Sequence, residues 1–450
     1  MNDKNGECSR RQFLQLSAGI GAAALLSTAG CSATQAGPSP TDDFWLAVRQ
    51  NDFTLSSDSI YLNNSTLGAT LKTVREKMAQ ASMIFADGCY LDRWVNEIVW
   101  PAASVSASFA RLINAPTDPA AAGHYCGTIT SVTEGMSLVA NGLTFARGDV
   151  IVTTDCEHPG GFIPWKLQEA RYGARVIQVP LIAPSDTEAT WRENLVGRFQ
   201  RACTTAGNVR VISFPAITSS TGHIVPAREL CALARSIGAV SVLDAAQAFT
   251  VIPLDMLALD CDALVVNGHK YLCGPVGSGF VALNPRLLAT VPSFWSTVVD
   301  ENYFHPDNPA RNLPQRKGGV QAYTNILPLA EAMAQVARLG MSNIHDRLLA
   351  IGQRLRDHLS LYPDRFELIT PRDRDLSCVM TSFRVRGRPS EEVYQILRDQ
   401  YGIHVKHSTE GFPPDGGGTV NGAVRLSPHY YVTEEEISRV LAALDAIAGI

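Results

Sequence analysis

Between residues 150 and 285, short apolar runs alternate with amphipathic stretches, and this alternation constrains the fold more than any other feature of the 450-residue chain. The strand-like runs are Asp149–Thr154, Arg175–Pro180, Val209–Phe214, Val240–Asp244, Ala263–Asn267 and Ser278–Leu283. Mostly apolar strands, rather than strands of alternating polarity, are those covered on both faces. One intervening stretch begins at Pro226 and stops at Gly238, with Leu230, Leu233, Ala234 and Ile237 on one face. Proline in the first turn and glycine past the last one mark a helix. The pattern predicts an α/β fold with a mostly parallel sheet, in which ligands bind at the carboxyl ends of the strands.

The texture changes after about residue 320. Helices are expected over 322–340 and 343–361, and shorter strands at 366–370, 377–385, 403–406 and 423–427. A last helix starts at Thr433, where Glu436 completes a capping box and Ile437, Val440, Leu441, Leu444 and Ile447 form the apolar face. Residues 42–320 are therefore expected to form a large domain with its N-terminal segment, and residues 321–450 a smaller C-terminal α+β domain. Residues 42–70 belong with the smaller unit or cross between the two.

The N-terminus reads as an address. Arg10-Arg11-Gln12-Phe13-Leu14 precedes an apolar run from Leu16 to Ala29, and Gly30-Cys31-Ser32-Ala33 follows. A charged region, a short apolar region and small residues, in that order, make residues 1–33 a signal peptide of the twin-arginine type. The apolar run is too short to span a bilayer. Cys31 sits where a lipoprotein cysteine would stand, although cleavage after Ala33 suits the same residues. Residues 34–41 form a polar tether. The expected location is the periplasm, reached through the twin-arginine machinery.

Composition narrows the function. Hydrophobic residues are 46% of the chain, enough for a sizeable core, and the formal net charge is −5, which gives nucleic-acid binding no electrostatic support. Ten cysteines are too sparse for a disulfide scaffold, and none has metal-site spacing.

The chemistry concentrates in Asn267-Gly268-His269-Lys270-Tyr271-Leu272-Cys273-Gly274-Pro275-Val276-Gly277. A lysine stands just past one buried strand, and Asp244 of Val242-Leu243-Asp244-Ala245-Ala246-Gln247 ends the strand before it. Two adjacent carboxyl edges would bring both to one crevice. A pyridoxal phosphate site needs such a pair: the lysine forms a Schiff base with the aldehyde, and the carboxylate keeps the ring nitrogen protonated.

These segments resemble the class V aminotransferases, a fold-type I group of pyridoxal phosphate enzymes that includes cysteine desulfurases and isopenicillin N epimerase-like enzymes. The resemblance runs from about residue 58 to the C-terminus. It implies that Lys270 is the catalytic lysine and that Asp244, Gln247 and His269 hold the cofactor. Thr133, in Thr133-Glu134-Gly135 before a helical stretch, looks like the first phosphate loop, with Thr133 as its hydroxyl or simply as a helix cap. His158, after Glu157, resembles the histidine that stacks on the ring. Asn267 stands where many relatives have serine, and is counted with the cofactor residues. Arg425 resembles the arginine that grips a substrate carboxylate, with Lys406 beside it. The run Thr218-Ser219-Ser220 replaces an asparagine common in relatives, and Val320 replaces a threonine that reaches the partner's phosphate.

The resemblance therefore implies an aminotransferase, lyase or epimerase working on an amino-acid-like substrate, free or peptide-borne, through an external aldimine. It also implies a homodimer. Desulfurases carry a cysteine on a loop that corresponds to His407–Gly418, where this chain has none. An exported relative of similar address, cofactor and fold is the periplasmic enzyme of pyoverdine siderophore maturation. The alternative is an exported binding protein that keeps the fold without catalysis, supported by the changes at Asn267, Ser219 and Val320.

Overall fold

The computed structural model describes residues 40–88, 91–118, 123–288, 321–412 and 422–450. The signal peptide, Cys31, most of the tether, Cys89, Val320 and the later part of the loop His407–Gly418 lie outside the described residues.

A seven-stranded sheet organises the chain. Its strands are β1 (Cys126–Ile129), β2 (Val150–Thr154), β3 (Arg175–Val179), β4 (Val209–Pro215), β5 (Val240–Asp244), β6 (Ala263–Asn267) and β7 (Gly279–Leu283). They lie side by side in the order β1-β7-β6-β5-β4-β2-β3. The β3-β2-β4-β5-β6 pairings are parallel, and β7 runs antiparallel to both β6 and β1. Every residue of β2, β6 and β7 is buried, as expected for strands covered on both faces.

The helix after β4 spans Ala227–Ser236 and buries Leu230, Cys231 and Ala234. Ile237 was expected on that face, but it stands beyond the last turn and is exposed. Gly238, at φ 71°, turns the chain so that the Ala239 N–H reaches the Ala234 carbonyl, and this reversal swings Ile237 outward.

The second region carries a four-stranded antiparallel sheet: β8 (Phe366–Leu368), β9 (Thr381–Val385), β10 (Lys406–Ser408) and β11 (Ala423–Leu426), in the order β8-β9-β11-β10. The helix expected over 322–340 is two helices, Tyr323–Ile326 and Leu329–Leu339, because Pro328 lacks the N–H to carry the ladder through. The next helix runs Met341–Ser360. The strand expected at 377–385 begins only at Thr381, since Ser377 is bridged to His223 of the other region. The run 403–406 also divides. Ile403–His404 pairs with Ile60–Tyr61, and Lys406 joins the small sheet. The final helix is Glu434–Ala448, with the Thr433–Glu436 capping box formed as read.

The N-terminal segment crosses the molecule. Its helix Asp42–Asp52 packs on the C-terminal region, where Arg49 forks onto the Glu436 carboxylate at 3.0 and 2.7 Å and Trp45 meets Tyr430. The chain then pairs Ile60 with Ile403, bridges Asn63 to Ser427, and ends its crossing where the Gly68 N–H donates to the His269 carbonyl at 2.7 Å. A Cβ at Gly68 would overlap the Lys270 carbonyl oxygen. Backbone on backbone has no flexible side chain to move aside. Gly68→Ala is therefore expected to cost about 1–3 kcal/mol and to displace the Lys270 turn. A thermal melt matching wild type would contradict this.

Candidate active site

Strands β2, β4, β5 and β6 and the helix after β1 end around one pocket of about 200 Å³. A larger cavity, about 460 Å³, lies between Trp191, His223 and Arg372 and contains neither Lys270 nor Asp244.

Lys270 follows the end of β6 and is 9% exposed, and Asp244 ends β5 at 5%. Both line the pocket. Burial pushes the Lys270 amine down to about 8; Asp244 opposes this, while Arg425 and Lys406 add to it. Burial likewise raises Asp244, against the Ala246 N–H that its Oδ1 accepts at 2.9 Å and the charges of Lys270 and His158. Lys270 Nζ has no hydrogen-bond partner among the described residues. Its amine is thus confined, near neutrality in pKa, and available as a nucleophile or a base.

The helix Val132–Gly142 points its N-terminus into the pocket. Its cap is Ser131, whose Oγ accepts from the Glu134 N–H, so Thr133 is not the cap. Asn267 Oδ1 accepts the Val132 N–H at 2.9 Å. The Thr133 amide and hydroxyl are left without a partner among the described residues. A helix N-terminus with an open N–H and a hydroxyl is suited to a phosphate. His269 also lines the pocket, with Nδ1 3.2 Å from the Ser278 carbonyl.

His158 sits at the start of the helix Pro159–Tyr172, where its Nδ1 accepts the Gly160 N–H at 3.0 Å. This places the neutral ring's proton on Nε2. Burial and Lys270 lower its pKa, so the neutral form dominates near pH 7. Gln247 gives Nε2 to the Ser65 carbonyl, and its Oε1 is buried without a partner. Ser219 Oγ is also buried and unpaired, and both residues line the pocket. Unsatisfied polar atoms facing a cavity signal a ligand that completes them.

Arg425 on β11 is 1% exposed. Its guanidinium donates to the Ser219 carbonyl at 2.5 Å and to Asn63 Oδ1 and Thr66 Oγ1, while its Nε has no partner. Lys406, beside it on β10, is ion-paired with Glu410 at 3.1 Å rather than solvated.

All the residues singled out from sequence, Thr133, His158, Asp244, Gln247, Asn267, His269, Lys270, Lys406 and Arg425, line this pocket. Sequence reasoning missed Ser65, Thr66 and Glu410. Glu410 carried a signal, four residues after Lys406. Ser65 and Thr66 carried none, because they reach the site through the long crossing of the N-terminal segment. The seven described cysteines are free and buried, as expected of small apolar side chains, and no metal cluster occurs among the described residues.

The Lys270–Asp244 geometry predicts a charge dependence. Asp244 favours the Lys270 ammonium, so Asp244→Asn should lower the amine's pKa by about 1 unit. The pH-rate profile of reductive methylation of Lys270 in cofactor-free protein checks it. A profile unmoved or shifted upward would show that the two groups do not interact.

The family described as "Aminotransferase class-V" matches residues 107–440. Isopenicillin N epimerase of Streptomyces clavuligerus is 30% identical over 372 residues, 80% of this chain and 87% of that protein. A probable cysteine desulfurase of Synechocystis sp. is 28% identical over 325 residues, 70% of this chain and 74% of that protein. The fold is shared with C-DES, solved as a mutant with glycine covalently linked to its PLP cofactor, at a TM-score of 0.74, 20% identity and coverage of 90% and 99% of the two chains. The mostly parallel sheet with its small antiparallel partner is the fold-type I architecture. The buried lysine, the acid beside it, the open helix N-terminus and the unpaired Gln247 and Ser219 oxygens fit pyridoxal phosphate as the cofactor. This chain belongs to the class V aminotransferase family of pyridoxal phosphate-dependent enzymes.

Proposed function

We propose that this protein is an exported enzyme that transforms the amino-bearing carbon of an amino-acid-like substrate, by transamination, elimination or epimerisation. The observation that carries this reading is the buried Lys270 amine facing the pocket with Asp244 at the end of the adjacent strand. Pyridoxal phosphate, when bound, supplies an aldehyde that condenses with amines and a ring that withdraws electrons.

The chain's own groups do the rest. The Thr133 amide and hydroxyl and His269 would hold the phosphate. Asp244 would favour a proton on the ring nitrogen, His158 would lie against the ring, and Gln247 Nε2 is anchored on the Ser65 carbonyl so that its amide plane stays fixed. Lys270 Nζ would take a proton from the substrate carbon and return it; an amine with a pKa near 8 suits both tasks. Arg425, with Lys406 near it, receives a carboxylate of the substrate.

Sulfur transfer from cysteine is not the favoured reaction. No cysteine follows Cys378 in the chain, and burial pushes the Cys378 thiol up to about 11. Cys156, two residues before His158, is also buried and its thiol raised. Sulfur acceptance needs a thiolate with access.

The substrate class we favour is an amino acid carried on a peptide outside the cytoplasm, as in the pyoverdine-maturation enzyme that resembles this chain in address and family. Twin-arginine export moves folded proteins, so cofactor bound in the cytoplasm stabilises the precursor before transport. Buried, unpaired cysteines suit folding in a reducing compartment. We further propose a homodimer, the commonest closed assembly.

Two outcomes are expected. Borohydride reduction of the loaded protein followed by peptide mapping should place the pyridoxyl label on Lys270, and Lys270→Ala should fold yet take no label; a label on another lysine overturns the assignment. Arg10→Lys with Arg11→Lys should strand loaded precursor in the cytoplasm. Wild-type amounts in the periplasm would refute the export reading.

A further inference from the structure

Glu157 has no part in the chemistry derived so far, yet it is a buried neighbour of Asp244. It follows β2, is 8% exposed, and its two oxygens differ sharply. Oε1 accepts from Thr153 Oγ1 at 2.9 Å, Thr154 Oγ1 at 3.0 Å and the Thr154 N–H at 3.5 Å. Oε2 is buried and has no partner. A Cβ built on Gly161 would stand 2.9 Å from Asp244 Oδ2 and 3.2 Å from Glu157 Oε2, so both oxygens border the space that this glycine leaves empty.

Two ionised carboxylates cannot share such a place cheaply. Each is desolvated, and they repel across a medium of low dielectric constant. Asp244 is the charged group that acts on Glu157; Thr153 and Thr154 contribute neutral donors. Lys270, and His158 whenever it is protonated, act on Asp244 instead. The anion of the pair therefore belongs on Asp244 and the proton on Glu157. Within Glu157 the proton has one place to go. Oε1 already accepts from three groups, one of them a backbone N–H that can only donate, whereas Oε2 has no partner and is the oxygen left open to carry the proton.

We infer that Glu157 is a positioning residue held as a neutral carboxylic acid, with its proton on Oε2 toward Asp244, so that the buried acidic pair carries one negative charge and not two. Burial, followed by the Asp244 charge, pushes the Glu157 carboxyl up to about 8, in agreement with that placement. The inference rests on the reading of Asp244 as the partner of the ring nitrogen. Its consequence is a matched site: one fixed anion to balance the one positive charge that a protonated ring nitrogen would bring. A second buried anion would hold protons on the ring and on the Lys270 nitrogen too strongly for Lys270 to release them. Gly161 belongs to the same device, since any side chain there would wedge the two acids apart.

The test separates this charge assignment from the role of Asp244. Infrared difference spectra of the cofactor-free protein, wild type against Glu157→Gln, should show a protonated carboxyl band that persists through neutral pH and disappears near pH 8. Loss of that band between pH 4 and 5, the ordinary range for glutamate, overturns the inference whatever Asp244 does. In the loaded protein, Glu157→Gln exchanges one neutral group for another. The pH midpoint of the Lys270-linked absorbance should then move by less than about 0.3 unit; a fall of about 1 unit or more would mean that a negative charge had been removed. Glu157→Leu, which removes the donor as well, should shift the midpoint where Glu157→Gln does not. If the variants fail to fold, carbon NMR of wild-type protein with carboxyl-labelled glutamate gives the same decision, through the presence or absence of a glutamate signal that titrates near pH 8. Borohydride mapping to Lys270 remains independent of all these outcomes, so a failed charge assignment is distinguishable from a misplaced active site.

Discussion

Burying an amine beside an acid is the constraint on which this molecule turns. Lys270 at 9% exposure and Asp244 at 5% have given up most of their water. Neither group is comfortable alone: burial lowers the lysine and raises the aspartate, and each partly offsets the shift in the other. The large sheet makes the arrangement possible. β5 and β6 are parallel neighbours, so their carboxyl ends emerge side by side. The β6–β7 turn, packed against Gly68, then folds the lysine back over the sheet edge.

The small sheet contributes the opposite wall. Arg425 is buried on β11, and the groups that orient it come from two distant places, the Ser219 carbonyl after β4 and Asn63 and Thr66 of the N-terminal crossing. The same crossing joins Ile60 to Ile403 and Gly68 to His269. One extended segment thus ties the substrate-side arginine to the lysine turn. The helix Asp42–Asp52 secures its start through Arg49 and Glu436, and Glu436 is also the residue that closes the cap of the last helix.

Much of the fold was legible because its signals are local. β5 and β6 occupy the spans read from their apolar runs, β2, β3, β4 and β7 differ at one end by a residue, and β1 is not among those runs. Thr433 and Glu436 declared the last helix through a cap that is complete within one turn. The misreadings share a physical cause. Ile237 keeps the helical period in sequence, but the helix has ended at Ser236 and the chain turns at the next residue, Gly238. Of the two readings of Thr133, phosphate-loop hydroxyl or helix cap, the structure excludes only the cap, because Ser131 accepts the Glu134 N–H. In the run 403–406 the chain exchanges one strand partner for another, and hydropathy carries no mark of which neighbour a strand pairs with.

The sequence by itself determined the chemistry on offer: a lysine and an aspartate at the ends of successive buried strands, a helix start rich in hydrogen-bonding groups, and an arginine on a late strand. Such motifs are local because strand ends and helix caps are set by neighbouring residues. Tertiary structure alone decided what those groups experience. It brought Thr66 and Ser219 onto Arg425, paired Lys406 with Glu410, left the Gln247 and Ser219 oxygens unsatisfied, and set Glu157 and Asp244 around the space at Gly161. Desolvation and charge coupling depend on what packs around a group in space, and residues hundreds of positions apart in the chain supply that packing here.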